Sequence, residues 1–301
     1  IAWLNDDLAA KAIVNAGIDV LIDINGHTRG GRPGILARKP ALIQVSWLDY
    51  PGSTGLPTID WIFADSWHVP ETETFYSERI YRLPNNLFRY VAPDPAPEPN
   101  LPSLSTDTIT FGVTNQPIKA TPLSLDMWSE ILKQVPNSSL YLSFSDFRYI
   151  ETQKKFIADF ADRGIEKERL RFGTGARTPQ KFLAEYQKID ISLDTAPYTG
   201  GLTTLDAIFM GVPVVTLEGD RFCSRHAAAH LRNINRGQWI ARNFDEYISI
   251  AIGLAENPSV LNFERKNLRT DLIASPLMDG RGLAIELSQA IREIWDERQS
   301  C

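Results

Sequence analysis

Cysteine is nearly absent from this chain of 301 residues, which has only Cys223 and Cys301. Two cysteines so far apart give neither a disulfide framework nor a metal-site spacing, and they suit a reducing cytoplasm. Histidine is scarce as well, at positions 27, 68, 226 and 230. His226 and His230 stand at helical spacing without the glutamate of an HExxH site, so they read as helix surface or core, and no metal is expected. Positive charge is in deficit, with 31 Lys and Arg against 37 Asp and Glu and a formal net charge of −6. That leaves no electrostatic case for nucleic acid or an anionic membrane as partner. No apolar run approaches the ~20 residues of a membrane span. The opening IAWLNDDLAAK lacks a basic stretch ahead of an apolar one, so no signal peptide is read. There are no internal repeats and no low-complexity segments.

What is present is the composition of a globular protein, 43% hydrophobic and 23% charged, with length for one large or two medium domains. Short apolar strands alternate with helices of ten or more residues, which predicts an α/β protein with parallel, doubly wound sheets. Asn5 reads as the N-cap of a helix closed by Gly17. About three strands of a first lobe follow, at 18–24, 43–48 and 60–64, with a further strand at 79–83 inside an irregular run. Two glycine-rich loops, around His27 and Gly52, follow the first two strands, where open α/β sheets place ligands. VAPDPAPEPNLPSLS, residues 91–105, has five prolines and cannot pack as helix or interior strand, so the lobe boundary is expected there. This divides the chain into 1–90, a linker 91–105, a second lobe 106–280 and a terminal helix 281–301 whose apolar stripe includes Leu283, Ile285, Leu287, Ala290, Ile291, Ile294 and Trp295. The second lobe should alternate strands at 108–113, 137–144, 170–172, 189–193 and 212–217 with the intervening helices. A start without methionine, on a helix that belongs late in a lobe, gives the expectation of a fragment lacking upstream sequence.

The centre of the pattern is IDISLDTAPYTGGLTTLDAIFMGVPVVTL, residues 189–217. A strand runs into a loop with Gly200 and Gly201, then into a helix opened by Thr203, Thr204 and Asp206, then into a second strand. Free first-turn N–H groups, the helix dipole and threonine hydroxyls together suit a phosphate, and Asp206 suits a ribose. Taken alone, Gly-Gly-x-Thr-Thr fits a phosphate cradle and a plain capped turn equally well. It is neither the dinucleotide fingerprint nor a P-loop.

The segment PYTGGLTTLDAIFMGVPVVTLEGDRFCSR resembles the donor-binding segment of bacterial relatives of the protein O-GlcNAc transferases. DINGHTRGGR, RKPALIQVSWLDYPGSTGLPTIDWIFAD, YSERIYRLPNNLFRY and FGVTNQPIK resemble that family too, so the likeness covers both lobes. The resemblance implies a glycosyltransferase-B fold, with two Rossmann-like lobes, here a complete C-terminal lobe plus the C-terminal part of the N-terminal one. It implies a UDP-N-acetylglucosamine donor, transfer to Ser/Thr hydroxyls of proteins, no metal cofactor, and acceptor proteins presented by upstream helical repeats. On the matching positions, Lys119 contacts the diphosphate, and Asn115 and Gln116 lie in the nucleotide site with Gly200, Gly201, Thr203, Thr204 and Asp206. His27 and Lys119 are the catalytic candidates. Arg225 either binds substrate or pairs with a neighbour such as Asp220. A further candidate histidine of relatives lies upstream, so the chain alone is expected to bind donor better than it transfers sugar.

Departures from the pattern also stand out. Asp49 replaces a common glycine, Phe182 a histidine near the uridine, Leu202 a threonine and Gly201 a histidine of animal members, a glycine shared by bacterial relatives. The alternatives are a non-catalytic nucleotide-binding or interaction module, and a transferase of the same fold with another donor.

Overall fold

The computed structural model describes residues 1–100, 102, 108–175 and 178–300. The end of the expected linker (Leu101 and Ser103 to Ser105), the expected start of the second lobe at Thr106, and Cys301 lie outside the described residues. The chain divides into two compact units. One is Ile1–Arg89 with Arg221–Cys223 and Asp279 onward, and the other is Tyr90–Asp220 with Ser224–Met278.

In the first unit, α1 (Asp6–Asn15) is capped by Asn5, whose side chain accepts from the Leu8 amide at 2.9 Å. Asp6 and Asp7 in its first turn suit the helix dipole. β1 (Val20–Asp23), the short α2 (Pro33–Leu36), β2 (Ile43–Trp47), β3 (Trp61–Asp65) and β4 (Arg79–Leu83) follow. The four strands form one parallel sheet in sequential order, so Arg79–Leu83, read as lying in an irregular run, is a full member of it. Ile43, Val45, Ile62, Phe63, Leu83 and Leu87 form its core. The last helix of the chain contributes Ala290 and Ile294 to that core, so it belongs to this unit. Ile285, placed in its apolar stripe by spacing, is 60% exposed.

The second unit runs β5 (Ile109–Val113), α3 (Pro122–Gln134), β6 (Ser138–Ser143), α4 (Ile150–Ala161), β7 (Leu170–Gly173), α5 (Pro179–Glu185), β8 (Ile191–Leu193), α6 (Leu202–Phe209), β9 (Val214–Leu217), α7 (His226–Asn233), β10 (Ile240–Ala241), α8 (Phe244–Ala255) and α9 (Pro258–Ile273); the last helix, α10 (Gly280–Gln299), returns to the first unit. Its six strands are parallel, in the order β10-β9-β8-β5-β6-β7. β5, β6 and β7 wind outward on one side, and β8, β9 and β10 on the other. The order therefore reverses between β5 and β8, and the loops leaving those two strands diverge at one carboxyl edge, where doubly wound sheets bind ligands. Burial of Phe111, Trp128, Leu140, Phe160, Ile191, Ile208 and Tyr247 packs helices on the sheet. Each fully buried large side chain contributes about 1.5–3 kcal/mol of transfer free energy, which holds the strand ends in place.

Candidate functional site

The loop leaving β8 is built around a carboxylate. Asp194 is fully buried, and its Oδ1 accepts from the Thr195 amide (2.8 Å), the Gly200 amide (2.8 Å) and Asn115 Nδ2 (3.0 Å). Its Oδ2 accepts from Thr216 Oγ1 at 2.8 Å. Burial raises the Asp194 carboxyl above its ordinary value, against those hydrogen bonds and the nearby positive charge of Lys119. Tyr247 donates to the Asp194 carbonyl at 2.9 Å, and Ser124 and Thr121, at the start of α3, both donate to the Ala196 carbonyl. One acidic side chain thus ties β5, β8, β9 and the glycine loop together. Nothing in the sequence reading pointed to Asp194. The available signal was its position as the first residue past a buried strand and just ahead of the Gly-Gly loop.

Several predicted site residues converge here. Asn115 also accepts from Thr203 Oγ1 at 2.9 Å, so it bridges the β5 loop to the first turn of α6. Lys119, at the end of a 3-10 turn Pro117–Lys119, reaches the glycine loop: its Nζ donates to the Thr199 carbonyl (3.3 Å) and lies 3.7 Å from the centroid of the Tyr198 ring. Gly200 has no room for a side chain, because an added Cβ would sit 2.6 Å from Thr204 Oγ1 and 2.7 Å from Thr203 Oγ1. Gly201 is the N-cap of α6 and supplies no side-chain cap, and a Cβ there would meet nothing within 4 Å. The first-turn amides of α6 are therefore not covered by a cap side chain.

One expectation needs correction. The threonine hydroxyls and the Gly200 amide, read as donors for a phosphate, are engaged inside the loop: Thr203 to Asn115, Thr204 to the Gly200 carbonyl (2.9 Å), and Gly200 to Asp194. They shape the loop, and the first turn of α6 has no side-chain cap. Asp206, the residue expected at a ribose, is not a helix-terminal charge. It lies in the second turn of α6, 6% exposed, where its Oδ1 accepts from Tyr90 at 2.7 Å. Burial pushes the Asp206 carboxyl from 3.8 up to about 6, opposed by the Tyr90 hydrogen bond. Burial and the neighbouring carboxylate together raise the Tyr90 phenol.

Asp206 and Thr203 line a cavity of about 720 Å³ with Tyr90, Phe144, Phe182 and Leu202 among its other walls. Phe182 packs edge-on to Tyr186, with ring centroids 5.8 Å apart, so it serves the core and the cavity at once. Leu202 is 64% exposed. The side chain of Gln116 is exposed, and its carbonyl accepts from the Lys119 amide. Arg225 donates to the Gly219 and Asp220 carbonyls, at 3.2 and 2.8 Å, so its partners here include the backbone of the acidic neighbour.

His27 lies in the first unit, in the loop after β1, exposed. Its Nε2 is 2.7 Å from the Thr54 carbonyl, and its ring meets Tyr50 edge-on at 5.1 Å. Asp49, the departure from glycine, accepts from Thr28 Oγ1 at 2.9 Å and so links the two glycine-rich loops. Among the described residues, no group of three or more His, Cys, Asp or Glu is placed to hold a metal, and no helix is long and apolar enough to cross a membrane.

A model of glycosyl transferase family 41 matches residues 4–90 and 100–287. The chain is 36% identical over 294 residues to a protein of Hordeum vulgare named probable UDP-N-acetylglucosamine--peptide N-acetylglucosaminyltransferase SPINDLY, covering 97% of this chain and 31% of that one. A structure of a mutant O-GlcNAc transferase from Thermobaculum terrenum superposes with a TM-score of 0.90 at 32% identity, over 99% of this chain and 57% of that one. Sucrose-phosphate synthase from Thermosynechococcus elongatus shares the fold alone, with a TM-score of 0.64 at 10% identity over 97% of this chain and 77% of that one. The architecture is that of the glycosyltransferase-B class. The chain spans about a third of the length of the curated relatives it matches.

Proposed function

Because this chain belongs to glycosyl transferase family 41, we propose that its second unit holds a UDP-sugar at the β5/β8 switch point and that the protein uses UDP-N-acetylglucosamine to glycosylate Ser/Thr hydroxyls of proteins. The names carried by the relatives support the donor and the reaction. The observation that carries the reading is the Asp194 hub. It fixes Asn115 and Gly200 in one network beside Lys119 and leaves the start of α6 open to an anion.

In such a transfer, the acceptor oxygen forms a bond to the sugar carbon as the bond from that carbon to the diphosphate breaks. The leaving diphosphate gains charge, and fixed donors aimed at it lower the barrier. Lys119 and the first-turn amides of α6 take that role, and Asp206 takes the ribose. Phe182 and Leu202 offer the cavity no hydrogen-bond donors from their side chains, which favours a second reading, the same reaction with a different nucleotide sugar. Presentation of the acceptor by helical repeats, a cytoplasmic location and turnover without a metal complete the proposal.

Calorimetric titration with UDP tests it, wild type against Lys119→Ala. A charge-assisted contact to phosphate is worth about 1.5–3 kcal/mol, so affinity should fall about tenfold or more. Equal affinities would remove Lys119 from the site. Release of UDP from UDP-N-acetylglucosamine, unchanged by EDTA, is the expected turnover. Donor binding without any transfer would leave a binding module instead of an enzyme.

A further inference from the structure

We propose that Glu78 is a positioning residue that acts through Thr54 to fix His27 in the tautomer whose Nδ1 is the open acceptor. The proposal starts from a buried carboxylate with four donors and, among the described residues, no ion pair to account for it. Glu78, 6% exposed and next to the start of β4, accepts at Oε1 from the Thr54 amide (2.7 Å) and the Thr54 hydroxyl. At Oε2 it accepts from Ser53 Oγ (2.6 Å) and Ser77 Oγ (3.0 Å). Burial raises its carboxyl, but these hydrogen bonds outweigh burial and hold it below its ordinary value. The anion is therefore kept, and its donors converge on one short loop. Ser53 Oγ in turn takes the Gly55 amide (3.1 Å), and Thr54 Oγ1 takes the Leu56 amide (3.2 Å). Residues 53–56 are clamped by side chains that a plain turn does without.

What that clamp fixes in space is the Thr54 carbonyl, 2.7 Å from His27 Nε2. A carbonyl oxygen can only accept, so Nε2 carries the hydrogen, and a neutral imidazole then has its lone pair at Nδ1. The ring is held in orientation by Tyr50, edge-on at 5.1 Å. Gly26 makes room for that tyrosine, since a Cβ at position 26 would collide with the Cβ of Tyr50. A backbone carbonyl that sets the tautomer of an imidazole is a recurrent way of preparing one ring nitrogen for a ligand or a proton.

The chemical use of Nδ1 rests on the transferase reading above. When a hydroxyl attacks the sugar carbon, the oxygen lone pair forms the new bond and the old bonding pair leaves with the diphosphate. The hydroxyl proton passes to a base, and His27 offers Nδ1 and not Nε2 for it.

Long-range proton–nitrogen NMR of the four histidines reads the tautomer directly, with His27→Asn to assign its signals. Wild type should show His27 as the Nε2–H form. Glu78→Gln keeps the shape but turns one acceptor oxygen into a donor facing hydroxyls, and should give a mixture of tautomers. Its kcat should fall about ten- to a hundredfold, with little change in the donor KM. If the glutamine variant does not fold, Ser53→Ala, which removes one of the four contacts, should shift the same populations in the same direction. An Nδ1–H form in wild type, or an unmixed Nε2–H form in a folded Glu78→Gln, overturns the assignment. The spectra do not depend on turnover, so an absence of transfer counts against the proposed reaction, and the role of Glu78 stands or falls on the tautomer.

Discussion

Replacing Asp206 by asparagine should stabilise the protein at neutral pH and weaken its hold on UDP. The carboxyl is 6% exposed, and burial displaces it from 3.8 to about 6. Each unit of displacement corresponds to about 1.4 kcal/mol, so folding with this group ionised costs about 3 kcal/mol. The sign follows from which state binds the proton. Below pH 3.8 the group is neutral in both states and costs nothing. Between 3.8 and about 6 the unfolded chain releases the proton and the folded chain keeps it, so stability falls as pH rises. Above that window the full cost is present. The asparagine carries no charge and keeps an Oδ1 to accept from Tyr90, so the variant lacks this slope. In thermal melts, the difference between Asp206→Asn and wild type should be near zero at about pH 3 and grow to about 3 kcal/mol by about pH 7.5, roughly 6–12 °C for a unit of this size. Comparing the two proteins at each pH cancels the other carboxylates. The proposed contact of this charge to ribose predicts about a tenfold weaker UDP in the variant. A difference that does not vary with pH would refute the electrostatic argument. Greater stability with UDP affinity intact would refute the ribose assignment.

The adjacent glycines should behave oppositely. Gly200→Ala drives a Cβ against both threonine hydroxyls and should cost most of the UDP affinity, whereas Gly201→Ala, with open space around it, should change it by less than about threefold. Asp194→Asn replaces an all-acceptor group with one that also donates, and should lower both melting temperature and UDP affinity, since the Gly200 amide and Thr216 hydroxyl need acceptors at the two ends of the carboxylate. A variant with native melting and binding would show that the hub does not hold the loop. Titration with UDP, GDP and ADP side by side should give a graded preference and not a sharp one, because Phe182 and Leu202 bring apolar surface to the cavity. A preference for uridine above about a hundredfold would place base selection on other groups.

The parallel α/β layout was legible because buried strands and capped helices follow local rules, and Asn5, Thr121 and Asn243 all cap helices as their residue types predict. The two-residue β10 was not legible, since Ile240 and Ala241 are too short a run to carry a period. The stripe of α10 announced a packed face but could not name its partner, which proved to be the core of the first unit about 200 residues earlier in sequence. Lys119 and the glycine loop could be placed at one sheet edge from connectivity alone. The polar network beneath them could not, because hydrogen bonds such as Asn115 to Asp194 and Tyr90 to Asp206 join residues 79 and 116 apart and leave no local pattern.

That hidden network changes what the visible motif means. Gly-Gly-x-Thr-Thr looked like a set of donors waiting for phosphate, yet its hydroxyls and one of its amides already have protein partners. A donor that turned from water to ligand at each binding event would have to be ordered each time, at about 0.5–1.5 kcal/mol per side chain. Here the hydroxyls and the Gly200 amide are held by protein groups, and the centre of that network is a carboxylate shielded from solvent. The repulsion between that anion and a diphosphate is softened by the four hydrogen bonds Asp194 accepts and by Lys119 nearby. The motif is therefore better understood as a rigid frame for a helix N-terminus than as a list of contacts. Substitutions that disturb the frame, Gly200→Ala above all, should weaken binding more than loss of any single hydroxyl, and Thr204→Val, which removes only the bond to the Gly200 carbonyl, is the comparison that decides between the two views.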